Sequence, residues 1–478
     1  MLRIRALPLF VVIFIGLVIS SCVAPTAQTP ITSTQPLEET VPIESPAKIE
    51  VPSVEDGYAG PQLTTENIKL RTIRWQRAVA EEELFAIWID EFEAAHPNIT
   101  IVDEAIPFGQ LAEKIQTTVS AGDPADILFI DGPNTKSYAY YNILLPLDDY
   151  LTEDFMSDIV PASRIENSYK GKLYSFPERQ AVLALAYNID MTTAAGIQPP
   201  TELKDAWTWD EALDAWKKLQ QDPSGSGIPE VWGLESSRFG SGGAGFYFRD
   251  GIFSRSAGDP DAPEDSSLYK TYAAISSDGT TVKGYIDSPE AIEATQWLQD
   301  LTMKWNVTAK VGMPDAFFNK QAATTIDHDG LLGKVKKFYP DGGFNFTYTP
   351  IPYFKTEISM SGSNAAGVSA KTEYPAEAAA FLVYIYSHEN ALRFWDVNRG
   401  LPAYISLYED IDAYSEHPYS LFHETLANIA VPRPSTPAWS TFDAIINAAI
   451  KDISLGAPVA ETLHQAADDI DIQLKKYQ

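Results

Sequence analysis

The sequence ADILFID at residues 125–131 decides the fold class, because it is a short, almost wholly apolar run. Runs of this kind are typical of strands buried on both faces of a parallel sheet. Two more strand patterns precede it, NIKLRTIRW at 67–75 and NITIVDEA at 98–105. Helical patterns stand between the three strands, at 81–97 and 108–122. Strands that alternate with helices predict an open α/β sheet.

The ends of these strands give the first candidate binding residues. Ligands of open α/β sheets bind outside the carboxyl ends of the strands. We therefore predict a ligand site at the residues that end or follow them, which are Trp75, Gln76, Asp131, Gly132 and Asn134. Two alternatives stay open: Asp131 only caps the segment that follows it, and Trp75 belongs to the core.

The composition bounds the size and the partners. The chain has 478 residues, 45% of them hydrophobic, which is enough for two domains or one bilobed body at about 100–200 residues per domain. With 65 acidic and 35 basic residues its net charge is −30, which repels nucleic acid and anionic lipid headgroups. We expect no nucleic-acid partner, whereas neutral ligands stay possible.

Helical patterns continue through the later part of the chain. WTWDEALDAWKKL at 207–219 predicts a helix entered through Thr208 as N-cap, with Glu211 three residues later. Further helices are predicted near 288–305 and 375–395, and the chain ends in helical patterns. Trp88, Trp216 and Trp297 stand at helical spacing and are predicted to be core residues.

The single cysteine, Cys22, follows the pattern of a secretory signal. Two arginines precede an apolar run at 7–19, and two serines stand just before the cysteine. ISSC at 19–22 resembles the lipobox of bacterial lipoproteins, which implies that Cys22 is diacylated and begins the mature chain. We expect a lipoprotein signal peptide at 1–21 and a membrane anchor at Cys22. The alternatives are an uncleaved apolar anchor and a free or buried thiol.

The segment at 22–65 predicts a disordered tether. It is rich in Pro and Thr, with Ser and Glu, and has no aromatic residue before Tyr58. Such a segment cannot bury enough apolar surface to offset the entropy of ordering it. As a flexible coil it would hold the folded part within reach of the membrane.

Several segments together resemble the family 1 extracellular solute-binding proteins of ABC importers, the group that includes maltose-binding protein. The segments that carry the resemblance are FEAAHPNITI at 92–101, the stretch at 117–151, GKLYSFP at 171–177, AYNID at 186–190, TWDE at 208–211, AFFNKQAATTIDHDG at 316–330 and GSNAAGVSA at 362–370. Their order and spacing carry the resemblance, which runs from about residue 68 to the C-terminus.

The resemblance implies an α/β fold of two lobes, the type II or Venus-flytrap periplasmic-binding-protein fold, with a multi-strand hinge. Lobe one is expected at 66–180 plus 356–400, and lobe two at 183–350 plus 404–478. The chain is expected to cross between the lobes near 179–184, 349–353 and 401–406.

The resemblance also adds candidate ligand residues. It places Arg179 and Gln180 at the hinge, His328 and Asp329 in a turn that lines the cleft, and Trp439 at an aromatic stacking position. Gly362, Ser363 and Asn364 complete the set, since a glycine at a strand end lets the backbone approach a ligand. Many relatives have a tryptophan after the glycine of the turn, where this chain has Leu331, so maltodextrin recognition is not implied.

The function implied is capture of a solute, a mono- or oligosaccharide or another small polar molecule, and its delivery to ABC permease subunits. We expect a monomer with no cofactor, no metal and no enzymatic activity. The alternatives are a membrane-anchored glycosidase with paired carboxylates and the ligand-sensing subunit of a receptor. GSGGAG at 240–245 matches a dinucleotide-binding pattern, but we interpret it as a flexible loop because no strand-to-helix turn surrounds it.

Overall fold

The computed structural model describes residues 57–236, 252–434 and 436–477, which belong to one unit. The predicted signal peptide, Cys22 and the GSGGAG segment lie outside the described residues. Of the predicted tether, only residues 57–65 are described. They pack on the folded part: Tyr58 forms a β-bridge with Leu151, and the Thr64 backbone nitrogen donates to Glu377 Oε1 at 2.6 Å.

The strands and helices follow one another along the chain as the periodic patterns predict. The strands are β1 (Ile68–Trp75), β2 (Ile99–Ile106), β3 (Ile127–Asp131), β4 (Ser168–Tyr169), β5 (Lys172–Leu173), β6 (Phe176–Val182), β7 (Ala184–Asn188), β8 (Trp232–Leu234), β9 (Ala322–Asp327), β10 (Phe346–Thr349), β11 (Ser359–Val368), β12 (Leu401–Pro402) and β13 (Ala430–Val431). The helices are α1 (Val79–Ala95), α2 (Phe108–Ser120), α3 (Thr135–Tyr140), α4 (Glu153–Asp158), α5 (Pro161–Glu166), α6 (Ile189–Ala194), α7 (Trp209–Leu219), α8 (Ser267–Ala273), α9 (Pro289–Met303), α10 (Leu331–Phe338), α11 (Pro375–Ile385), α12 (His388–Asn398), α13 (Leu407–Asp410), α14 (Tyr419–Asn428), α15 (Trp439–Ser454) and α16 (Val459–Leu474).

The larger sheet has the strand order β12-β6-β11-β3-β1-β2, with β13 beside β11. Its strands β1, β2 and β3 are parallel, as the alternation of strands and helices predicts. Helix α1 buries Leu84, Phe85, Trp88 and Phe92, which share one helical face, against this sheet. We call the buried cluster around the larger sheet the first core.

The smaller sheet has the strand order β10-β7-β9-β8. Neighbouring residues of β7 point to opposite faces, because side chains alternate along a strand. Leu185 therefore belongs to a second core, which also holds side chains of α7, α9, α15 and α16. Ala184 and Ala186 face the other way and belong to the first core. The smaller sheet is thus covered on both faces.

The chain passes from the larger sheet to the smaller one at Leu183, the single residue between β6 and β7. Ser359, the first residue of β11, holds this junction through its hydroxyl. Its Oγ accepts from the Leu183 backbone nitrogen at 2.8 Å and donates to the Leu183 carbonyl oxygen at 3.0 Å. The connection from β6 to β7 is therefore hydrogen-bonded to the end of the connection from β10 to β11.

The predicted start of α7 is confirmed. Thr208 Oγ1 accepts from the Glu211 backbone nitrogen at 3.3 Å, and Glu211 Oε2 accepts from the Thr208 backbone nitrogen at 2.8 Å, which is a complete capping box. Trp88 and Trp216 are buried core residues, as predicted. Trp297 is half-buried and packs against the second core.

The lobe boundaries stay a prediction. The segment after β12, which is predicted to begin the second part of lobe two, packs in the first core. Tyr404, Leu407 and Phe422 belong to the first core, together with the larger sheet. Phe422 also packs edge-on against Tyr348 of β10, with 4.7 Å between the ring centroids. This segment therefore lies between the two sheets.

Candidate functional site

Three of the predicted residues form one row across the larger sheet. Asn364 of β11 lies opposite Arg179 of β6 on one side and opposite Asp131 of β3 on the other. Directly opposed residues on neighbouring strands point to the same face, so the three side chains lie together over about 10 Å. Each is only partly buried, whereas most of the strand residues around them are buried. We call this solvent-accessible strip the polar row.

Arg433 binds the Asp131 end of the polar row. Its Nη1 and Nη2 each lie 3.2 Å from a carboxylate oxygen of Asp131, and its Nε lies 3.4 Å from Glu166 Oε1. Arg433 stands between β13 and α15, and α15 packs in the second core. The ion pair therefore links the larger sheet to the segment that leads into the second core.

Glu166 supports the same end of the row from below the surface. Its Oε2 accepts from the Ser363 backbone nitrogen at 2.8 Å and from Ser363 Oγ at 2.5 Å. Burial raises the pKa of Glu166, and the charge of Arg433 opposes that rise. Gly132 passes so close that a Cβ there would overlap Ser363 Oγ and Glu166 Oε2. Glycine is required at this position by close approach rather than by backbone conformation.

Two further charged groups lie near this end. Burial lowers the pKa of Lys136 to about 8, and the charge of Glu166 opposes the shift. Burial raises the pKa of Asp443, which lies near Arg433 and Asp131. The Asp131 end of the row is thus a cluster of charges of both signs, in which burial and neighbouring charges act on the same groups.

The Arg179 end of the row meets the turn that follows β9. Arg179 Nη1 donates to Asn398 Oδ1 at 3.3 Å, and the Leu401 backbone nitrogen donates to Asp329 Oδ2 at 2.9 Å. A Cβ at Gly400 would lie 3.3 Å from both Arg179 Nη1 and Asp329 Oδ2, so these two groups are close neighbours. Next to Asp329, the half-exposed His328 accepts from the Gly330 backbone nitrogen through Nδ1 at 2.9 Å.

Gln180 and Gly362 lie next to the row but bind each other. Gln180 is opposite Ser363 and points to the face away from the polar row. With its amide oriented to satisfy both partners, its nitrogen donates to the Gly362 carbonyl oxygen at 2.7 Å, and its oxygen accepts from the Ser163 backbone nitrogen at 3.2 Å. Ligand contact by these two residues stays a prediction.

The two predicted tryptophans are both buried. Trp75 is 6% exposed and packs edge-on against Phe108 and Phe129, with the Arg77 guanidinium carbon 4.9 Å from its ring centroid. Trp439 is 4% exposed and stacks on Phe442, while Arg433 lies 5.8 Å from its ring centroid. Trp439 is therefore beside the polar row, and Trp75 belongs to a separate aromatic cluster.

The remaining predicted residues lie at the edge of the larger sheet. Gln76 is exposed, and its backbone nitrogen donates to the Ile106 carbonyl oxygen at 2.7 Å. Asn134 is half-buried at the start of α3. The structure thus brings Arg179, Asn364 and Asp131 together, with Asp329 and Trp439 at the two ends of their row.

A cavity of about 190 Å³ lies at the carboxyl ends of β8 and β9 in the smaller sheet. Because β8 and β9 are parallel, Glu235 and Asp327 reach the same edge. Other lining residues are Asp315, Phe317, Phe318 and Lys334. This acidic pocket lies at the strand ends of the smaller sheet, as Asp131 lies at a strand end of the larger sheet.

No metal site or membrane span is found in the described part of the chain. Within residues 57–236, 252–434 and 436–477, no group of three or more His, Cys, Asp or Glu side chains is placed to hold a metal ion. Within the same ranges, no helix has both the length and the apolar character needed to cross a membrane.

The sequence matches a known family over most of the elements just described. The family model described as bacterial extracellular solute-binding protein matches residues 75–392, from the end of β1 into α12. The chain belongs to this family. Its members are described as binding proteins, which agrees with the resemblance found from the motifs. Asp131, Arg179 and Asn364 all lie inside the match, and Arg433 lies beyond it.

Two relatives match this solute-binding protein over part of their length. A binding protein of Brucella abortus (strain 2308) is 32% identical over 120 residues, which are 25% of this chain and 28% of that protein. A maltotriose-binding protein of Pyrococcus abyssi (strain GE5 / Orsay) is 22% identical over 285 residues, 59% of this chain and 53% of that protein. The matches thus span about a quarter to a half of these curated relatives.

A solved structure shows the same fold. The crystal structure of an ABC transporter solute-binding protein from Thermotoga lettingae TMO, bound with α-D-tagatose, superposes with a TM-score of 0.69 at 21% identity. The superposition covers 85% of this chain and 99% of that one. It confirms the predicted two-lobed periplasmic-binding-protein fold of this solute-binding protein.

Several charged residues were missed from the sequence: Arg433, Glu166, Lys136 and Asp443 near the polar row, and Glu235 and Asp327 in the pocket of the smaller sheet. Arg433 stands between two prolines, and nothing in its local pattern indicates a partner 302 residues earlier. Glu166 gives no signal either, because its contact to Ser363 spans 197 residues. Glu235 and Asp327 did carry a signal, since Glu235 follows the short apolar strand β8 and Asp327 ends the short strand β9, as Asp131 ends β3.

Proposed function

We propose that this chain is the substrate-binding component of an ABC transporter and binds a mono- or oligosaccharide, or another small polar solute, between its lobes. The polar row is the observation that carries the proposal. A guanidinium, an amide and a carboxylate supply both donors and acceptors, which is what a molecule with many hydroxyl groups requires. A relative named as a maltotriose-binding protein and a structure of the same fold bound with α-D-tagatose support this ligand class.

The proposed mechanism is capture by closure, performed by a monomer. The polar row lies on the larger sheet. Arg433 binds Asp131 from the segment that leads to α15, and Asp329, which follows β9, accepts from the Leu401 backbone nitrogen near Arg179. A solute on the row would therefore touch groups from both sides only when the lobes approach. Binding then shifts the population toward the closed form, which permease subunits recognise.

Polar groups rather than ring faces carry the recognition. Trp75 and Trp439 bury their rings against Phe129 and Phe442, so neither offers an open face. A stacking position for Trp439 stays a prediction that requires the ring to be uncovered when the lobes part.

A thermal-shift screen over sugars and polyols tests the ligand class. A sugar at one hundred times its dissociation constant is expected to add about 2.7 kcal/mol to the free energy of unfolding. Each sugar that raises the melting temperature is then incubated with the protein and examined for products. Hydrolysis of that sugar would favour the glycosidase alternative, and a screen in which no carbohydrate shifts the melting temperature would contradict the sugar assignment.

The lipid anchor is a separate proposal that rests on the signal pattern and on Cys22. Replacing Cys22 by serine removes the thiol that would be acylated, and two acyl chains are what stable membrane attachment requires. We expect the Cys22→Ser variant to leave the membrane fraction while its affinity for the sugar selected in the screen stays unchanged. A variant that stays in the membrane fraction would argue against acylation at this cysteine.

A further inference from the structure

The C-terminal end of the chain contacts the segment that follows Asp131 at a second point, beyond the polar row. The ring of Tyr477 lies 5.0 Å from that of Tyr140 and 6.0 Å from that of Tyr141, edge-on in both pairs. Tyr141 Oη donates to Tyr477 Oη at 2.9 Å. The rings of Tyr140 and Tyr141 are perpendicular to each other at 5.1 Å. We call these three residues the tyrosine clasp.

The elements on the two sides of the tyrosine clasp pack in different cores. Tyr140 and Tyr141 end α3 and the turn after it, and Tyr138 of the same helix is buried in the first core. Tyr477 follows α16 and packs partly against the second core, which holds Leu474. Because α3 lies in the predicted lobe one and Tyr477 in the predicted lobe two, a contact between these rings would join the two lobes that approach each other in the proposed capture.

The clasp and the Asp131 end of the polar row belong to one short stretch of chain, residues 131–141. Helix α3 starts four residues after Asp131 and ends at Tyr140, so it spans only about 9 Å at 1.5 Å per residue. Arg433 contacts this stretch of chain before the helix, at Asp131, and Tyr477 contacts it after the helix, at Tyr141. Two segments from the C-terminal part of the chain thus contact the two ends of one short stretch.

The exposure of the rings makes the contact reversible. Tyr140 is 39% exposed and Tyr141 is 55% exposed, even with Tyr477 in place. Tyrosine has an apolar ring and a hydroxyl that water can solvate, so separating these rings costs less than opening a core. Each aromatic pair still contributes about 0.5–1.5 kcal/mol beyond its buried area when the rings meet.

We infer that the tyrosine clasp is an outer latch that stabilises the closed arrangement of the lobes and so slows release of the solute, without touching it. This inference rests on the proposed capture by closure. Tyr477 and Tyr141 are positioning residues, whereas Asp131 and Asn364 would contact the solute. Losing the clasp should therefore change the open and closed populations and leave the chemistry of the polar row intact.

The experiment measures the distance between the lobes in the full-length chain. Spin labels are placed at Glu113→Cys in α2 and Lys451→Cys in α15, both exposed positions, in a Cys22→Ser background. Double electron–electron resonance then measures the distribution of distances between the two labels. The labelled chain with an unchanged clasp is compared with its Tyr477→Ala and Tyr477→Phe variants, of which the second keeps the ring and loses the hydroxyl. Tyr169→Ala is the matched control, because Tyr169 pairs with Tyr174 inside one hairpin.

Without added sugar, Tyr477→Ala is expected to move the distance distribution toward longer distances, with Tyr477→Phe in between and the Tyr169→Ala control unchanged. With the sugar selected in the screen, or with maltotriose as the probe, dissociation from Tyr477→Ala is expected to be about 3- to 10-fold faster. Distance distributions that are identical for all variants would overturn the latch. A shifted distribution in a chain that binds no sugar would preserve the latch and contradict the sugar assignment of the proposed function, so the two failures are distinguishable.

Discussion

Replacing Glu178 by alanine is expected to lower the free energy of unfolding by about 3–5 kcal/mol, since it leaves a buried guanidinium without its main partner. Glu178 Oε1 lies 2.9 Å from Arg77 Nη1, and Oε2 lies 2.5 Å from Nη2. The two side chains are only 1% and 3% exposed. This pair is therefore unlike the ion pairs at the surface of the molecule.

The surroundings of Arg77 explain why water cannot replace the carboxylate. Its guanidinium carbon lies 4.9 Å from the Trp75 ring centroid and 5.5 Å from that of Phe129. Burial alone would lower the pKa of Arg77, but the charge and hydrogen bonds of Glu178 outweigh it and hold that pKa above its usual value. Removing Glu178 leaves the desolvation cost with nothing of comparable strength to offset it.

Urea unfolding followed by tryptophan fluorescence measures the effect. Asp214→Ala is the matched control, because it breaks the exposed pair of Asp214 with Lys217 at 3.1 Å. That change is expected to cost less than about 1 kcal/mol. A Glu178→Ala variant that unfolds at the same urea concentration as the control would show that the buried pair adds nothing to stability.

Alanine at Asp131 or at Asn364 is expected to weaken sugar binding about 10-fold or more. Both side chains belong to the polar row, which is accessible to solvent. A lost hydrogen bond that leaves a polar partner unsatisfied costs about 1–3 kcal/mol. Asp131→Ala also frees Arg433 from its bidentate partner, so its effect should be the larger. Asn364→Ala removes one amide and no charge, and therefore reports on ligand contact alone.

Titration calorimetry with the sugar selected by the screen measures these affinities. Asn428→Ala is the control for the loss of an amide, since Asn428 is exposed at the end of α14 and bonds only within its own helix turn in the described structure. The control is expected to keep the affinity of the unchanged chain. Equal affinities for Asn364→Ala and Asn428→Ala would remove Asn364 from the ligand site.

Local patterns were sufficient to predict the first half of the larger sheet. Strands β1 to β3 and helix α1 each carry their own periodicity, and the capping box of α7 needs only two residues three positions apart. Local patterns do not predict where β11 and β12 lie in the sheet. Asn364 pairs with Asp131, which lies 233 positions earlier in the chain, and no local period specifies which strands pair or in what register.

The candidate site divides in the same way. The strand-end rule found Asp131 and applies equally to Glu235 and Asp327, because it depends on local order alone. The strand-end rule cannot distinguish an aromatic ring that binds a ligand from one that packs in the core. It therefore predicts Trp75 as a ligand residue, although Arg77 and Phe129 cover the ring. Arg433 was missed because its ion-pair partner, Asp131, lies 302 residues earlier in the chain.

A crystal structure of the chain with the sugar selected by the screen tests most directly whether the polar row holds the solute. Sugar hydroxyls are expected within hydrogen-bonding distance of Arg179, Asn364 and Asp131, with Arg433 and Asp329 at the two ends of the row. Sugar bound away from this row, with the three side chains touching only protein or water, would contradict the claim that the row is where the solute is held.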